Sequence, residues 1–133
     1  MSTVKAAAVQ ISPVLYSREG TVDKVVRTIH ELGQQGVVQS ASQMIAGREH
    51  LTLLDQAVTV PSAATDAIGT ACKEVGLVAS IGDNERDGGT LCNTQLLFDA
   101  DGMLIQRRRK ITPAYHERMV WRQGDGSISG DLF

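Results

Sequence analysis

Small apolar residues open the chain as an almost unbroken run. Residues 4–11 (V-K-A-A-A-V-Q-I) contain only two polar side chains, and Ser12 and Pro13 close the run. A short apolar segment that ends in this way is typical of a strand buried on both faces. We therefore expect residues 4–11 to form the first strand of a buried sheet.

A helix with one apolar face is predicted to follow this strand. Five apolar side chains recur with the spacing of a single helix face: Val22, Val25, Val26, Ile29 and Leu32. Thr21 is placed to cap the amino end of this helix, and Gly33 or Gly36 is placed to end it.

The chain should return to the sheet soon after Gly36, since such connections usually take about two to six residues. Instead, Val37 and Val38 run directly into the polar segment 39–43 (Q-S-A-S-Q). The second strand is therefore expected to be missing or reduced to a stub. A sheet that lacks this strand would expose an unpaired edge.

A second helix and three further strands are predicted in the following part of the chain. The helix has an apolar stripe that ends at Gly76 and consists of Ala67, Ile68, Ala71, Cys72 and Val75. Residues 77–81 are predicted as a short strand. Residues 90–98 and 103–109 are predicted as a hairpin, because the turn sequences D-G-G and D-A-D-G precede them. This order of helices and strands indicates an α/β fold.

Composition and charge exclude several classes of partner. The 133 residues are enough for one domain, and a net charge of −2 gives no field that would attract nucleic acid or an anionic membrane. The opening apolar run is too short for a signal peptide or a membrane span. Cys72 and Cys92 lie far apart and lack the spacing of a zinc site or a disulfide framework. We therefore expect a cytoplasmic protein.

Candidate chemistry is concentrated in residues 107–121 (R-R-R-K-I-T-P-A-Y-H-E-R-M-V-W), which follow the predicted hairpin. Lys110 and Glu117 lie seven residues apart with Pro113 between them, and this spacing can bring an ammonium and a carboxylate into one pocket. From spacing alone, the alternative is a solvated charge run followed by ordinary surface residues.

These segments resemble a known family. Residues 107–121, the preceding N-T-Q-L-L-F-D-A-D-G and I-G-D-N-E-R, and the opening K-A-A-A-V-Q-I-S-P-V are similar to the nitrilase branch of the carbon-nitrogen hydrolase superfamily. The resemblance implies an α/β fold, a partial α-β-β-α sandwich, with residues 1–133 as a single, incomplete domain. The family's site is a Glu-Lys-Cys triad with a second glutamate.

The resemblance assigns catalytic roles to two residues. Lys110 matches the family's lysine, whose ammonium stabilises the negative charge of the tetrahedral intermediate. Glu117 matches the second glutamate, which orients that lysine and the substrate. Tyr115 and His116 resemble residues that line the same pocket, and His116 is expected to be structural because the mechanism has its base elsewhere.

Two segments that carry the rest of the family's site have no counterpart in this sequence. Similar enzymes have a strand ending in Phe-Pro-Glu, whose glutamate is the general base, and later a nucleophilic cysteine followed by Trp-Glu or Phe-Glu. The similarity stops and resumes between Val37 and Val38 and near Ser127 and Ile128. We expect either broken spacing at these two junctions or a poorly packed fold. Smaller departures from the family pattern occur at Asp83, Ala114 and Arg122.

Neither cysteine of the chain is expected to replace the missing nucleophile. Cys72 lies on the apolar stripe of the second helix, where a small buried hydrophobe is the natural interpretation. Cys92 lies on a predicted strand, and both cysteines precede Lys110 whereas the family's nucleophile follows the lysine. Gly124 and Gly126 flank Asp125 in what is expected to be a plain turn, since no phosphate-binding pattern is present.

The resemblance implies a hydrolase that turns a small-molecule nitrile into a carboxylic acid and ammonia through a cysteine thioimidate and thioester. It implies no metal or organic cofactor, and it implies assembly into homo-oligomers. Two hypotheses remain open. The first is a nitrilase whose sequence is incomplete as written, and the second is a shortened, non-catalytic protein that acts only in subunit association. The chain as written is expected to be inactive in either case.

Overall fold

The computed structural model describes residues 3–43 and 50–129. In chain order its elements are β1 (Ala6–Gln10), α1 (Arg18–Gln34), β2 (Gln39–Gln43), α2 (His50–Gln56), α3 (Ala63–Val75), β3 (Val78–Asp87), β4 (Thr90–Phe98), β5 (Leu104–Arg109), a 3₁₀ helix (Tyr115–Met119) and β6 (Ile128–Ser129). Residues 130–133 lie outside the described part.

The six strands form one mixed sheet in the order β1-β2-β3-β4-β5-β6. The first three strands are parallel, and each is joined to the next by a segment that contains a helix. The remaining pairs are antiparallel. Short turns join β3 to β4 and β4 to β5, and tight turns can join only antiparallel neighbours. The predicted α/β class is confirmed, as is the strand over residues 90–98.

The first helix begins four residues earlier than predicted. Ser17 is its N-cap, and the Ser17 hydroxyl accepts a hydrogen bond from the backbone N–H of Gly20 (3.0 Å). Thr21, the predicted cap, lies inside the helix, where its hydroxyl donates to the Ser17 carbonyl (2.7 Å). The serine one turn upstream therefore satisfies the free N–H groups of the first turn.

The main core lies between one face of the sheet and the apolar stripes of α1 and α3. Buried side chains of the helices meet buried side chains of β3 and β4, and the cluster includes Val25, Ile29, Ile68, Ala71, Cys72, Ala79, Ile81, Leu96 and Phe98. Both helices therefore cover the same face of the sheet, each through the apolar stripe predicted for it. Gly76 ends α3 in the left-handed conformation (φ 65°), which glycine adopts without a steric penalty.

The prediction that the second strand is missing or reduced to a stub is wrong. Gln39–Gln43 forms β2, whose backbone pairs with β1 on one side and β3 on the other. At the junction itself, the Val38 N–H donates to the Lys5 carbonyl (3.0 Å), and the Val38 carbonyl accepts from the Val78 N–H (2.9 Å). The sheet is therefore continuous across this junction. Any backbone can supply ladder hydrogen bonds, so two strands in need of partners outweigh a weak strand propensity.

The prediction of a first strand buried on both faces is also wrong. In β1, Ala6, Ala8 and Gln10 are exposed, whereas Ala7 and Val9 are partly buried on the helix side. Register places Ala6 and Ala8 on the same face as Val78 and Ser80. This second face of the sheet, opposite α1 and α3, is called the open face below.

One end of the open face is covered by a smaller cluster. Leu91 of β4 is buried there against Leu53 of α2, Ala57 and Trp121. Val58 extends the sheet beyond the end of β2 by pairing with β3 beside Glu85. The covered end is next to the 3₁₀ helix, so it also supports the segment predicted to carry the chemistry.

A membrane-spanning helix is not found among the residues that the structure describes, since none of their helices is both long and apolar enough.

Candidate functional site

Lys110 is the first residue after β5, and its backbone is held on both sides. Its N–H donates to the Asn93 carbonyl on β4 (2.8 Å), and its carbonyl accepts from the Gly124 N–H (3.0 Å). Gly124 lies so close that a Cβ atom built on it would be 2.9 Å from the carbonyl oxygens of both Arg109 and Lys110. Only glycine fits this approach without a shift of the backbone.

Glu117 comes to Lys110 from the 3₁₀ helix that follows Pro113. Its Oε2 atom accepts a hydrogen bond from Lys110 Nζ (2.7 Å) and another from the backbone N–H of Ala114 (2.6 Å). The two predicted catalytic residues therefore meet in one ion pair.

The hydrogen bond from Lys110, together with that from the Ala114 N–H, holds the pKa of Glu117 below its ordinary value. The carboxyl is therefore ionised at neutral pH and acts as a hydrogen-bond acceptor. The pair remains open to solvent, since 40% of the Lys110 side chain and 30% of the Glu117 side chain are exposed.

Tyr115 and His116 lie at the start of the same 3₁₀ helix. Their rings meet edge to face with centroids 4.1 Å apart, and Tyr115 has a positive φ of 45°. The Tyr115 side chain is 81% exposed, and His116 is also exposed. The structural role expected of His116 stays a prediction, and the two rings form an exposed aromatic surface beside Glu117.

A second charged group, which sequence reasoning missed, lies on the helix-covered face of the sheet. Glu85 of β3 is 1% exposed. It accepts hydrogen bonds from Thr94 Oγ1 (2.7 Å) and from Arg109 Nε and Nη2, with Arg107 Nη1 3.7 Å from its Oε1. The signal available in the sequence was the alternation R-x-R over residues 107–109, which places the first and third arginines on one face.

Burial alone would raise the pKa of Glu85. The hydrogen bonds from Arg109 and Thr94, together with the positive charges of Arg107 and Arg109, outweigh burial and lower the pKa below its ordinary value. The Glu85 hydrogen bond likewise raises the pKa of Arg109. Glu85 is therefore a buried carboxylate that is compensated by charge-assisted hydrogen bonds.

The two cysteines are buried, as expected for Cys72, and both are free thiols. Burial raises the pKa of Cys72 to about 11 and also raises the pKa of Cys92, so neither thiolate is favoured at neutral pH. Cys92 is paired with Glu85 on the helix-covered face, whereas alternation from Arg109 directs Lys110 to the open face. The sheet therefore separates Cys92 from the lysine.

Asp125 sits in the predicted turn between Gly124 and Gly126. Its Oδ1 accepts from the Ser127 N–H (2.9 Å) and the Ser127 hydroxyl (2.6 Å), and Gly126 has a φ of 80°. The plain turn is confirmed. Within residues 3–43 and 50–129, no three His, Cys, Asp or Glu side chains come together as metal ligands.

Arg122 and Ala114, two departures from the family pattern, are both accommodated. The Arg122 N–H donates to the Leu91 carbonyl (2.9 Å), and its side chain is partly exposed, 3.7 Å from Asp87 Oδ2. Ala114 contributes its backbone N–H to Glu117, a contact that needs no hydroxyl side chain.

Comparisons of the sequence with known proteins find relatives that agree on one family. A family model described as carbon-nitrogen hydrolase matches residues 5–131. The chain is 66% identical to "Nitrilase 3" from an unknown prokaryotic organism, with 96% of this chain and 44% of that protein covered. It is 39% identical to a nitrilase of Paraburkholderia phymatum, with 93% and 41% covered. The chain thus spans less than half the length of these curated relatives.

Solved structures share the fold at low sequence identity. Nit3 of Saccharomyces cerevisiae, a member of the nitrilase superfamily, matches with a TM-score of 0.75 at 17% identity, covering 93% of this chain and 49% of that one. An amidase from a Nesterenkonia species matches with a TM-score of 0.75 at 13% identity, covering 92% and 48%. The likeness places one sheet and its helix layer within the fold of these proteins.

Proposed function

This chain belongs to the carbon-nitrogen hydrolase family, and from that premise we propose that it carries the lysine side of a nitrilase active site. The complete site would turn a small-molecule nitrile into a carboxylic acid and ammonia. The observation that carries the proposal is the ion pair between Lys110 Nζ and Glu117 Oε2 (2.7 Å), fixed by the Ala114 N–H on the same carboxylate oxygen.

Lys110 supplies the electrostatic part of the reaction. An ammonium at the open site stabilises the negative charge that develops when a thiolate adds to the nitrile carbon. Glu117 is ionised and therefore orients the ammonium as an acceptor. Because the Lys110 backbone is fixed by Asn93 and Gly124, only the flexible stem of the side chain needs this orientation.

The nucleophile and the general base are proposed to lie outside these 133 residues. Cys72 and Cys92 are buried with raised pKa values, so neither fits the role of an activated thiolate. The alignment with "Nitrilase 3" runs over 145 residues, more than the 133 residues of this chain. That relative therefore carries residues within the matched span that this chain lacks.

A nitrile is favoured over an amide as the substrate, because the two curated relatives described above are named nitrilases. We further propose a cytoplasmic setting, in keeping with two free thiols, and association of copies into a homo-oligomer. The second candidate function is association without catalysis, and the exposed Ala6 and Ala8 on the open face favour it.

The chain by itself is expected to release no ammonia from aliphatic or aromatic nitriles. Turnover that is abolished by Cys92→Ala would contradict the assignment of the nucleophile. A chimera in which residues 50–126 replace the matching stretch of "Nitrilase 3" is expected to hydrolyse nitriles, and Lys110→Ala in that chimera should lower kcat by orders of magnitude. A folded, inactive chimera would favour the second candidate function.

A further inference from the structure

We propose that Glu85 is a positioning residue of this site, which acts through Arg109 to fix the end of β5 and so to place Lys110 against Glu117. The inference rests on the proposed role of Lys110. Glu85 itself lies on the opposite face of the sheet and does not reach the site.

The contact between Glu85 and Arg109 is bidentate and buried. Arg109 Nε lies 3.2 Å from Oε1 and 3.1 Å from Oε2 of Glu85, and Arg109 Nη2 also donates to Oε1. Only 2% of the Glu85 side chain and 12% of the Arg109 side chain are exposed. A planar guanidinium held at two points fixes direction as well as distance.

This pair joins two strands that are not neighbours. Glu85 belongs to β3 and Arg109 to β5, and β4 lies between them with Thr94 paired directly to Arg109. The Thr94 hydroxyl donates to Glu85 Oε2 (2.7 Å), so all three strands are bound to one carboxylate. At the far side of the guanidinium, Arg109 Nη1 lies 2.9 Å from Asp87 Oδ2.

Arg109 is the last residue of β5, and Lys110 is the next residue in the chain. A strand end normally frays, but here its final side chain is anchored from the helix-covered face. Alternation then directs the Lys110 side chain to the open face, where Glu117 receives it. Loss of the anchor would remove one of the contacts that fix the end of β5, beside the backbone hydrogen bonds of Lys110 to Asn93 and Gly124. It would therefore loosen the 2.7 Å contact between Lys110 and Glu117.

The ionisation of Glu117 reports on this contact in the 133-residue chain without any need for turnover. In the wild type, a pH titration of the Glu117 carboxyl by ¹³C NMR should give a pKa below its ordinary value. In Glu85→Gln, which keeps the shape but removes the charge, that pKa should rise toward the ordinary value. Glu85→Asp keeps the charge and should restore part of the difference.

Asp83→Asn is the matched control, because Asp83 is a buried carboxyl on the same strand and the same face as Glu85. This variant changes stability but should leave the Glu117 titration where the wild type has it. A change of the same size in both variants would show a general loosening of the fold and would overturn the inference.

Arg109→Lys provides a second variant if Glu85→Gln does not fold. It keeps the positive charge beside Glu85 and loses the planar fork, and the pKa of Glu117 should again rise. An unchanged Glu117 titration in this variant would overturn the role of Glu85 alone. An ordinary Glu117 pKa in the wild type would instead remove the Lys110–Glu117 pair and with it the proposed function.

Discussion

At the scale of single residues, the buried carboxyl of Asp83 is a cost to the free energy of folding. It is buried on β3, and its Oδ2 has no hydrogen-bond partner within the described part of the chain. Burial raises the pKa of Asp83 to about 7, the charge of Glu85 adds to the rise, and the Asn84 backbone opposes it. The family resemblance favours a small or β-branched residue here, which would avoid this cost.

Asp83→Asn is therefore expected to stabilise the protein at high pH. The folded-state pKa lies above the unfolded value, so the folded state binds the proton more tightly and stability falls as pH rises from about 4 through 7. One pKa unit corresponds to about 1.4 kcal/mol. The melting temperature of Asp83→Asn should exceed that of the wild type by about 4 °C or more at pH 8. The two should nearly coincide at pH 4, and equal melting temperatures at pH 8 would contradict the buried, ionised carboxylate.

Lys110 is expected to be specific for an ammonium. In the nitrilase chimera, Lys110→Arg should lose activity almost as fully as Lys110→Ala, because a planar guanidinium cannot replace a compact point charge at this position. Steady-state ammonia release measures both variants. Turnover within a few-fold of the parent in Lys110→Arg would show that positive charge alone is sufficient.

At the scale of secondary structure elements, the segment after the 3₁₀ helix supports β5 through Gly124. Gly124→Ala should destabilise the protein by about 1–3 kcal/mol, as is usual for overpacking, because its Cβ would meet two backbone carbonyls at 2.9 Å. Gly89→Ala is the control, since the space around Gly89 is open. Urea unfolding of both variants tests this, and equal losses would show that the close approach can relax.

Side-chain periodicity predicted the elements whose burial is one-sided. The structure confirms the predicted apolar stripes of α1 and α3 and the predicted alternation of Cys92, Thr94 and Leu96 in β4. Each of these patterns follows from contact with the core on one side. β2 was not predicted because its position depends on backbone hydrogen bonds to two neighbouring strands. Those hydrogen bonds are not reflected in the sequence of residues 39–43.

The candidate site was also predicted only in part, because some of its contacts join strands that are distant in sequence. Lys110 and Glu117 are close in sequence, so the resemblance could name both. The partners of Glu85 come from β4 and β5 and meet only when the antiparallel ladder is in register. The sequence I-G-D-N-E-R does not by itself indicate that its glutamate is buried.

At the scale of the whole molecule, α1 and α3 cover one face of the sheet, whereas the cluster around Leu53 and Leu91 covers only one end of the other. The exposed residues there include Ala6 and Ala8 of β1 and Gln95 of β4. The chain alone is therefore expected to self-associate in a concentration-dependent manner, since a wide sheet face with small side chains allows close packing.

Sedimentation equilibrium over a range of protein concentrations measures this association. Ala8→Lys, on the open face, should weaken it, whereas Thr70→Lys on the exposed side of α3 should not. A monomer at all concentrations that melts in one cooperative transition would contradict the expectation and would show that the half-covered sheet is stable on its own.

The topology of the sheet also sets the order in which its strands pair during folding. β3, β4 and β5 are consecutive and joined by short turns, so their pairing closes only short loops. In contrast, the pairing of Ala6 with Gln39 and that of Gln39 with Val78 each close a loop that contains a whole helix. Pairings between distant segments form more slowly. In pulse-labelled hydrogen exchange during refolding, the Asn93 and Thr94 amides should gain protection before those of Ala7 and Val9. Lys110 and Glu117 follow directly after β3, β4 and β5. Their ion pair should therefore form while the parallel strands are still unpaired.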